Sequence, residues 1–202
     1  MKKLLFLVSA AFLLSVLTYA KEPYKPGDLA SDFNLKNLKG KAVSLSQFED
    51  AKGFIVVFTC NTCPVVKQYE TRIMDLHDKF SEKGYPVVAI NSNDKNVSPG
   101  DSFEKMQELA QSKGYKFEYL YDESQDIAKE YGATRTPHVY VLSKQNDDLR
   151  IEYVGAIDNN ADDASKADKH YVQDAVNALL KGDDVPLAGT KAVGCGIKWK
   201  KV

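Results

Sequence analysis

The sequence is poor in the residues that build disulfide-rich and metal-rich proteins. Its 202 residues include three cysteines, three histidines and one tryptophan. Three cysteines are too few to stabilise a fold of this length by disulfides, and their odd number leaves at least one thiol to be explained. A hydrophobic fraction of 44% and a charged fraction of 27% are typical of a soluble globular protein.

An excess of charge of one sign is also missing. Lysine and arginine number 27, aspartate and glutamate number 28, and the net charge is -1. Proteins that bind nucleic acids through phosphates carry a basic excess, so we expect no nucleic-acid partner.

Long apolar runs are scarce, and the most apolar one lies at the N-terminus. Lys2 and Lys3 precede an almost wholly apolar run from Leu4 to Leu17, and the small residue Ala20 ends the segment. The run is shorter than the roughly 20 residues that span a bilayer. The pattern predicts a secretory signal peptide at residues 1–20 and a secreted or periplasmic protein without stable membrane insertion. Its thiols would meet an oxidising compartment.

The rest of the chain alternates between strand and helix patterns. They predict one α/β domain over residues 21–181 and a C-terminal extension at 182–202 that packs on it. Strands are expected in a β-hairpin near residues 33–45 and at 53–58, 85–91, 117–122, 136–143 and 149–155. Helices are expected at 64–83, 101–113, 125–131 and 170–180. This order predicts a central mixed sheet flanked by helices.

Two cysteines, Cys60 and Cys63, lie where a buried strand gives way to a helix, in the stretch FTCNTCP at residues 58–64. We expect the first of them at the helix N-terminus, where unsatisfied N–H groups and the helix dipole favour a thiolate. The second lies one turn further on, within disulfide reach. The spacing between a strand and a helix indicates a working redox pair.

Two other interpretations of the pair stay open. A zinc site needs more ligands, and the candidates Cys195, His77, His138 and His170 repeat no ligand spacing, so no metal is expected. A purely structural disulfide would close a very short loop and stabilise the fold weakly.

Three stretches, VVFTCNTCPVVKQYE at 56–70, GATRTPHVYVL at 132–142 and TKAVGCGIKWK at 190–200, resemble one protein family. It is the peroxiredoxin-like branch of the thioredoxin superfamily, the redoxins of alkyl-hydroperoxide-reductase/thiol-specific-antioxidant type. The resemblance implies a thioredoxin-like fold with an extra N-terminal β-hairpin. It also implies that Cys60 is a solvent-facing nucleophile and Cys63 the resolving thiol. Pro137 would be a cis-proline that, with Thr136, receives the substrate backbone.

The sequence departs from thioredoxins at the pair. Thr59 replaces a tryptophan, and Asn61 and Thr62 replace Gly-Pro between the cysteines. The buried acid of thioredoxins would fall near Phe54, which is apolar, so no acid is evident as a base for Cys63. His138 is an auxiliary candidate for that role, and an ordinary strand histidine is the alternative.

Peroxiredoxins place a proline and a threonine seven and three residues before the peroxide-reactive cysteine. Counting back from Cys60 gives Gly53 and Val57, and counting back from Cys63 gives Val56 and Cys60. Arg135, a candidate positive neighbour for a peroxide, is expected in the loop before Pro137. We therefore expect disulfide exchange rather than peroxide reduction.

The expected function is that of an exported thiol–disulfide oxidoreductase without a cofactor. Its partners would be disulfide-containing proteins or small thiols, and a reducing partner protein. A thiol peroxidase and a non-catalytic binding protein on a thioredoxin scaffold are the alternatives.

Two further features of the sequence need an interpretation. Cys195 stands between two glycines, and is either a third redox thiol or a buried core residue near Trp199. Asp158, Asp162 and Asp163 lack the spacing and the closing glutamate of a calcium loop, and we expect them in a solvated loop.

Overall fold

A computed structural model of the protein describes residues 22–146 and 148–201, so the predicted signal peptide lies outside the described residues. These parts of the chain contain ten strands: β1 (Leu29–Ala30), β2 (Leu35–Asn37), β3 (Ala42–Val43), β4 (Gly53–Thr59), β5 (Val87–Asn91), β6 (Glu118–Tyr121), β7 (Arg135–Thr136), β8 (His138–Gln145), β9 (Asp148–Gly155) and β10 (Cys195–Gly196). They also contain four α-helices: α1 (Pro64–Phe80), α2 (Phe103–Lys113), α3 (Asp126–Tyr131) and α4 (Tyr171–Lys181).

Eight of the strands form one mixed sheet in the order β1-β9-β8-β4-β5-β6-β2-β3. β4, β5 and β6 run parallel, and the remaining pairs in the sheet are antiparallel. This confirms the predicted mixed sheet. The predicted hairpin is also confirmed, and its strand β2 pairs with β6, so that it extends one edge of the sheet.

The sheet separates two apolar cores. On one face, α1, α2 and α4 contribute buried side chains such as Ile73, Met106 and Val176. On the other face, α3 contributes Tyr131, and the segment between β1 and β2 contributes Phe33. All seven residues of β4 are buried, because this central strand is covered on both sides. Within the described residues, no helix has the length and apolar character needed to cross a membrane.

The pairing of two short strands far apart in sequence was not predicted, and it matters for function. β10 lies in the C-terminal extension and pairs antiparallel with β7, directly before Pro137. The extension is held to the domain before β10 as well, because the N–H of Val154 donates to the carbonyl of Ala188 (3.0 Å) and the N–H of Thr190 to that of Val154 (2.9 Å). The C-terminal extension therefore reaches the end of the sheet where the cysteine pair lies.

The expectation of a solvated acidic loop is wrong for Asp158. Asp158 is only 4% exposed, and its carboxylate accepts hydrogen bonds from the Tyr69 hydroxyl (2.8 Å) and the Arg72 guanidinium (2.7 Å). The same guanidinium donates to the carbonyl of Asn160, so the pair fixes this loop against α1. Asp162, by contrast, is exposed, as expected.

We predict that Asp158→Ala destabilises the protein by about 3–5 kcal/mol, because it leaves the half-buried Arg72 charge without its partner. The matched control Asp162→Ala removes an exposed carboxylate from the same loop and should change stability by about 0.5 kcal/mol or less. Urea unfolding followed by circular dichroism measures both. Equal stability losses in the two variants would contradict the assignment of Asp158 as the residue that holds the loop.

Candidate active site

The cysteine pair lies at the junction between β4 and α1. β4 ends at Thr59, Cys60 follows in the turn, and α1 begins at Pro64 with Cys63 as its N-cap residue. Proline suits the first helical position, since its missing N–H is not needed there. Cys63 rather than Cys60 therefore stands at the positive end of the helix, which corrects the sequence-based expectation by one turn.

The expectation that Cys60 faces solvent is also wrong. Cys60 is 2% exposed and Cys63 is 3% exposed. A cavity behind Cys60, lined by side chains that include Thr59, Val66 and Tyr119, has a volume of about 10 Å³. That is about the space of one water molecule.

Thr136 contacts both cysteines of the pair. Its hydroxyl oxygen lies 3.2 Å from the Cys60 sulfur, and its carbonyl accepts a hydrogen bond from the Cys63 thiol at 3.3 Å. Thr136 is 1% exposed. The peptide bond between Thr136 and Pro137 is cis, as the family resemblance implied.

The third cysteine joins the same site. Cys195 in β10 lies directly opposite Thr136 in β7. Its side chain packs against the cluster formed by Cys60, Cys63 and Val66, and is itself only partly buried. Trp199 is 38% exposed, so a core position beside that tryptophan does not account for Cys195. All three cysteines of the chain thus meet at one place.

The pKa values of the two thiols of the pair shift in opposite directions. Hydrogen bonding to Cys63 and burial raise the pKa of the Cys60 thiol, and the nearby Asp101 carboxylate adds to this. The hydrogen bond from Cys60 lowers the pKa of Cys63 to about 4 against the effect of burial, assisted by Cys195 and by the N–H of Val66. Cys63 is therefore the more acidic sulfur of the pair. On ionisation it loses the proton that it otherwise donates to the Thr136 carbonyl, while Cys60 keeps its own.

Asp101 is a site residue that sequence reasoning missed. It is fully buried, and it accepts hydrogen bonds from the N–H of Asn61 (2.6 Å) and the hydroxyl of Thr62 (2.8 Å), the two residues between the cysteines. Burial raises its pKa, but hydrogen bonds from neighbours such as Ser98 and Asn93 outweigh that effect, and the pKa lies below its usual value. The ionised carboxylate holds the turn that carries the pair.

The remaining candidates lie around this centre without touching the sulfurs through a described hydrogen bond. His138 faces Phe58 across the sheet and its ring lies 4.9 Å from that of Tyr140, centroid to centroid. Burial lowers the pKa of His138 to about 4, and its Nδ1 has no partner among the described residues. Arg135 donates to the carbonyl of Gly194. In the described part of the chain, no group of three or more His, Cys, Asp or Glu side chains is arranged to hold a metal ion.

Comparison with known families and proteins shows which redox proteins the chain is similar to. The model of the AhpC/TSA family matches residues 26–151. Peroxiredoxin Q of Sedum lineare chloroplasts is 28% identical over 106 residues, which cover 52% of this chain and 53% of the relative. The thiol-disulfide oxidoreductase ResA of Oceanobacillus iheyensis is 30% identical over 95 residues, 44% of this chain and 49% of the relative. The chain spans about half the length of the curated relatives it matches.

Solved structures show the same fold. A conserved protein of Geobacillus kaustophilus has a TM-score of 0.81 at 36% identity, over 88% of this chain and 93% of that one. Peroxidoxin BcpB of Mycobacterium tuberculosis has a TM-score of 0.58 at 18% identity, over 78% and 97%. The thioredoxin-like fold predicted from the sequence is confirmed.

We predict that the reduced protein shows a thiolate absorbance that is lost as the pH falls through about 4, the pKa of Cys63. Cys60→Ala removes the strongest hydrogen bond to that sulfur, so the transition should move up toward the usual thiol value of about 8.5. Ultraviolet titration of the reduced protein measures the shift without requiring access to the buried sulfur.

Two matched variants make this measurement specific. Cys60→Ser keeps an O–H donor at the same position and should shift the transition less than Cys60→Ala. Cys63→Ser should abolish the acidic transition. If the acidic transition survives in Cys63→Ser, the thiolate is not Cys63.

Proposed function

The chain belongs to the AhpC/TSA family, as a peroxiredoxin-like redoxin of the thioredoxin superfamily, and on that premise we propose that it is an exported thiol–disulfide oxidoreductase. The observation that carries the proposal is the placement of the pair: Cys63 caps α1 at its positive end, Cys60 lies three residues before it, and Thr136 contacts both sulfurs. A thiolate is the form that attacks disulfides, and the neighbouring thiol completes the exchange.

The exchange proceeds in two balanced steps. The Cys63 thiolate attacks one sulfur of a substrate disulfide, forms a mixed disulfide and releases the other substrate sulfur as a thiolate. Cys60 then attacks the Cys63 sulfur and passes its proton to the second substrate sulfur as that leaves. The substrate gains two electrons and the pair becomes a disulfide. The roles of Cys60 and Cys63 are thus exchanged relative to those implied by the family resemblance, and the reverse steps oxidise a dithiol substrate.

Thr136 and Pro137 are the proposed substrate-binding residues. The backbone edge of Thr136 is the one that pairs with β10, and its carbonyl lies 3.3 Å from the Cys63 sulfur. A substrate strand that takes the place of β10 on this edge would bring its sulfur next to Cys63. Thr59 ends β4 and lines the cavity behind Cys60, so it is proposed to shape the site rather than to react.

Peroxide reduction is the second candidate, and the similarity to peroxiredoxin Q favours it. The Cys63 thiolate would attack a peroxide oxygen, giving a sulfenic acid and an alcohol or water, and Cys60 would condense with the sulfenic acid to release water and the same disulfide. We prefer disulfide exchange because the residue three positions before Cys63 is Cys60, where peroxiredoxins carry a threonine. The similarity to ResA also supports exchange.

Partners and location are proposed on the sequence and the site chemistry. The N-terminal segment supports export to an oxidising compartment. There the substrates would be disulfide-containing proteins or small thiols, and a reducing partner protein would regenerate the dithiol.

We predict that the protein without its signal peptide catalyses the reduction of insulin by dithiothreitol, and consumes hydrogen peroxide more slowly than it reduces insulin under the same reductant. Cys63→Ser should lower both activities to the uncatalysed background, because it removes the thiolate. The double variant Cys60→Ser/Cys195→Ser leaves Cys63 as its one remaining thiol, so it should retain the first step with a small disulfide substrate and accumulate a mixed disulfide on Cys63, which mass spectrometry detects.

The matched control is Ser112→Ala, an exposed hydroxyl on α2, which should leave both activities unchanged. Peroxide turnover that exceeds insulin reduction would replace the proposal by the peroxidase alternative. If neither activity exceeds that of Cys63→Ser, the pair is idle and a binding function on this fold takes precedence.

A further inference from the structure

The burial of the pair leaves a problem of access. Cys60 and Cys63 are 2% and 3% exposed, and the cavity behind Cys60 admits no more than about one water molecule. A protein disulfide cannot reach either sulfur while β10 occupies the edge of Thr136. Cys195, on that same strand, is the one thiol of the three that solvent reaches.

The chain fixes Cys195 in this place from both sides. Before it, the Arg135 guanidinium donates a hydrogen bond to the carbonyl of Gly194 at 3.0 Å. After it, the N–H of Ile197 donates to the carbonyl of Thr134 at 3.1 Å, and the Ile197 side chain is 6% exposed. The Cys195 thiol is therefore held by the fold rather than carried on a free tail.

The segment is anchored further along as well. The N–H of Lys198 donates to the side-chain oxygen of Asn93 (2.8 Å), and the carbonyl of Lys198 accepts from the side-chain amide of Gln125 (2.9 Å). Gln125 is 2% exposed and has a positive φ of 67°, which non-glycine residues seldom adopt. A buried residue in an unfavourable backbone conformation thus contributes to holding the strand of Cys195.

Gly194 allows the strand to approach this closely. A Cβ atom at position 194 would collide with the carbonyl group of Thr136, the same carbonyl that accepts the Cys63 thiol. The Cys195 side chain packs against the cluster that Cys63 forms with Cys60 and Val66. The packing of Cys195 against Cys63, the pairing of β10 with β7 and the close approach at Gly194 together place Cys195 where a substrate cysteine would lie.

We propose that Cys195 is a third redox-active thiol, which passes disulfides between external substrates and the buried Cys63 sulfur through an internal Cys63–Cys195 disulfide. This inference deepens the proposed function and rests on it for turnover. It explains how a buried pair exchanges disulfides with partners too large to enter the site.

The relay consists of three thiol–disulfide exchanges, in which atoms, protons and electrons balance. The Cys195 thiol attacks an external disulfide, forming a mixed disulfide, and the first substrate thiol leaves with the Cys195 proton. The Cys63 thiolate then attacks the Cys195 sulfur and releases the second substrate thiolate, which leaves the Cys63–Cys195 disulfide. Finally Cys60 attacks Cys63, and its proton returns to Cys195 as that sulfur leaves. The net products are a reduced substrate and the Cys60–Cys63 disulfide.

The direct test stops the relay at its internal disulfide. The Cys60→Ser variant of the full mature chain is reduced, treated with oxidised dithiothreitol or diamide, alkylated and digested with trypsin. We expect peptide 192–198, which contains Cys195, to be covalently joined to peptide 53–67, which contains Cys63. The mass of the intact monomer should show the loss of two hydrogens. Two alkylated thiols, or dimers linked between chains, would overturn the proposal.

Matched variants separate this disulfide from incidental oxidation. Cys63→Ser leaves Cys60 and Cys195, and the joined peptides should be lost. If Cys60 and Cys195 link as readily in that variant, Cys63 is not the acceptor and the inference fails. Gly194→Ala in the Cys60→Ser background should slow formation of the joined peptides, while circular dichroism confirms an intact fold.

A turnover measurement tests the relay in the otherwise unchanged protein. Cys195→Ser should reduce insulin at least about tenfold more slowly than the unmodified chain, yet still form its Cys60–Cys63 disulfide with diamide, a small oxidant. Undiminished insulin reduction by Cys195→Ser would overturn the relay and leave the proposed function intact. A joined Cys63–Cys195 peptide without any insulin reduction by the unmodified chain would instead overturn the proposed function.

Discussion

The contacts of Thr136 hold the active site together. Its hydroxyl lies against the Cys60 sulfur, its carbonyl accepts from Cys63, and its backbone pairs with Cys195. The three sulfurs come from positions 60, 63 and 195, and they meet because β7 stands between the β4–α1 junction and β10. Thr136 is buried, and its carbonyl and its strand edge both face the site.

The sheet and a buried carboxylate keep the pair in place behind Thr136. β4 is the central strand, buried on both faces, so the residue that follows it has little freedom to move. Asp101 then fixes the Asn61–Thr62 turn by hydrogen bonds to its backbone and its hydroxyl. The Tyr119 hydroxyl adds a hydrogen bond of 2.9 Å to the Asn61 side chain. The spacing between the cysteines is therefore set by a network from β6 and the loop before α2, and not by the dipeptide alone.

The long elements were predictable because their patterns are local. The apolar run of β4 and the three- and four-residue spacing of Val66, Ile73 and Phe80 along α1 each depend on one burial environment. Pro64 also marked where α1 begins, and a stricter use of its preference for the first helical position would have placed Cys63 at the N-cap. Asp101 could not be predicted, because it contacts the turn of the pair across about 40 residues of sequence. The strand β10 could not be predicted either, because it lies about 130 residues from the pair and two residues show no periodicity. Asp158 was misjudged for the same reason, since its partner Arg72 lies on a different element.

The charge of a buried thiolate must be stabilised by neighbouring groups. The same groups shift the equilibrium between the dithiol and the disulfide form of the pair. Burial alone would keep Cys63 protonated, but the thiols of Cys60 and Cys195 and the N–H of Val66 stabilise its charge. These interactions favour the reduced form, because a disulfide carries no such charge and gains nothing from them. Formation of the Cys60–Cys63 disulfide in turn removes a negative charge from beside the buried Asp101 carboxylate, which favours the oxidised form. The two effects oppose each other: the hydrogen bonds act on the Cys63 sulfur, and the Asp101 charge acts on Cys60. Stabilisation of the Cys63 thiolate on its own makes the Cys60–Cys63 disulfide a better electron acceptor than a disulfide of two ordinary thiols, which is the property that the reverse steps, oxidation of a dithiol substrate, would use.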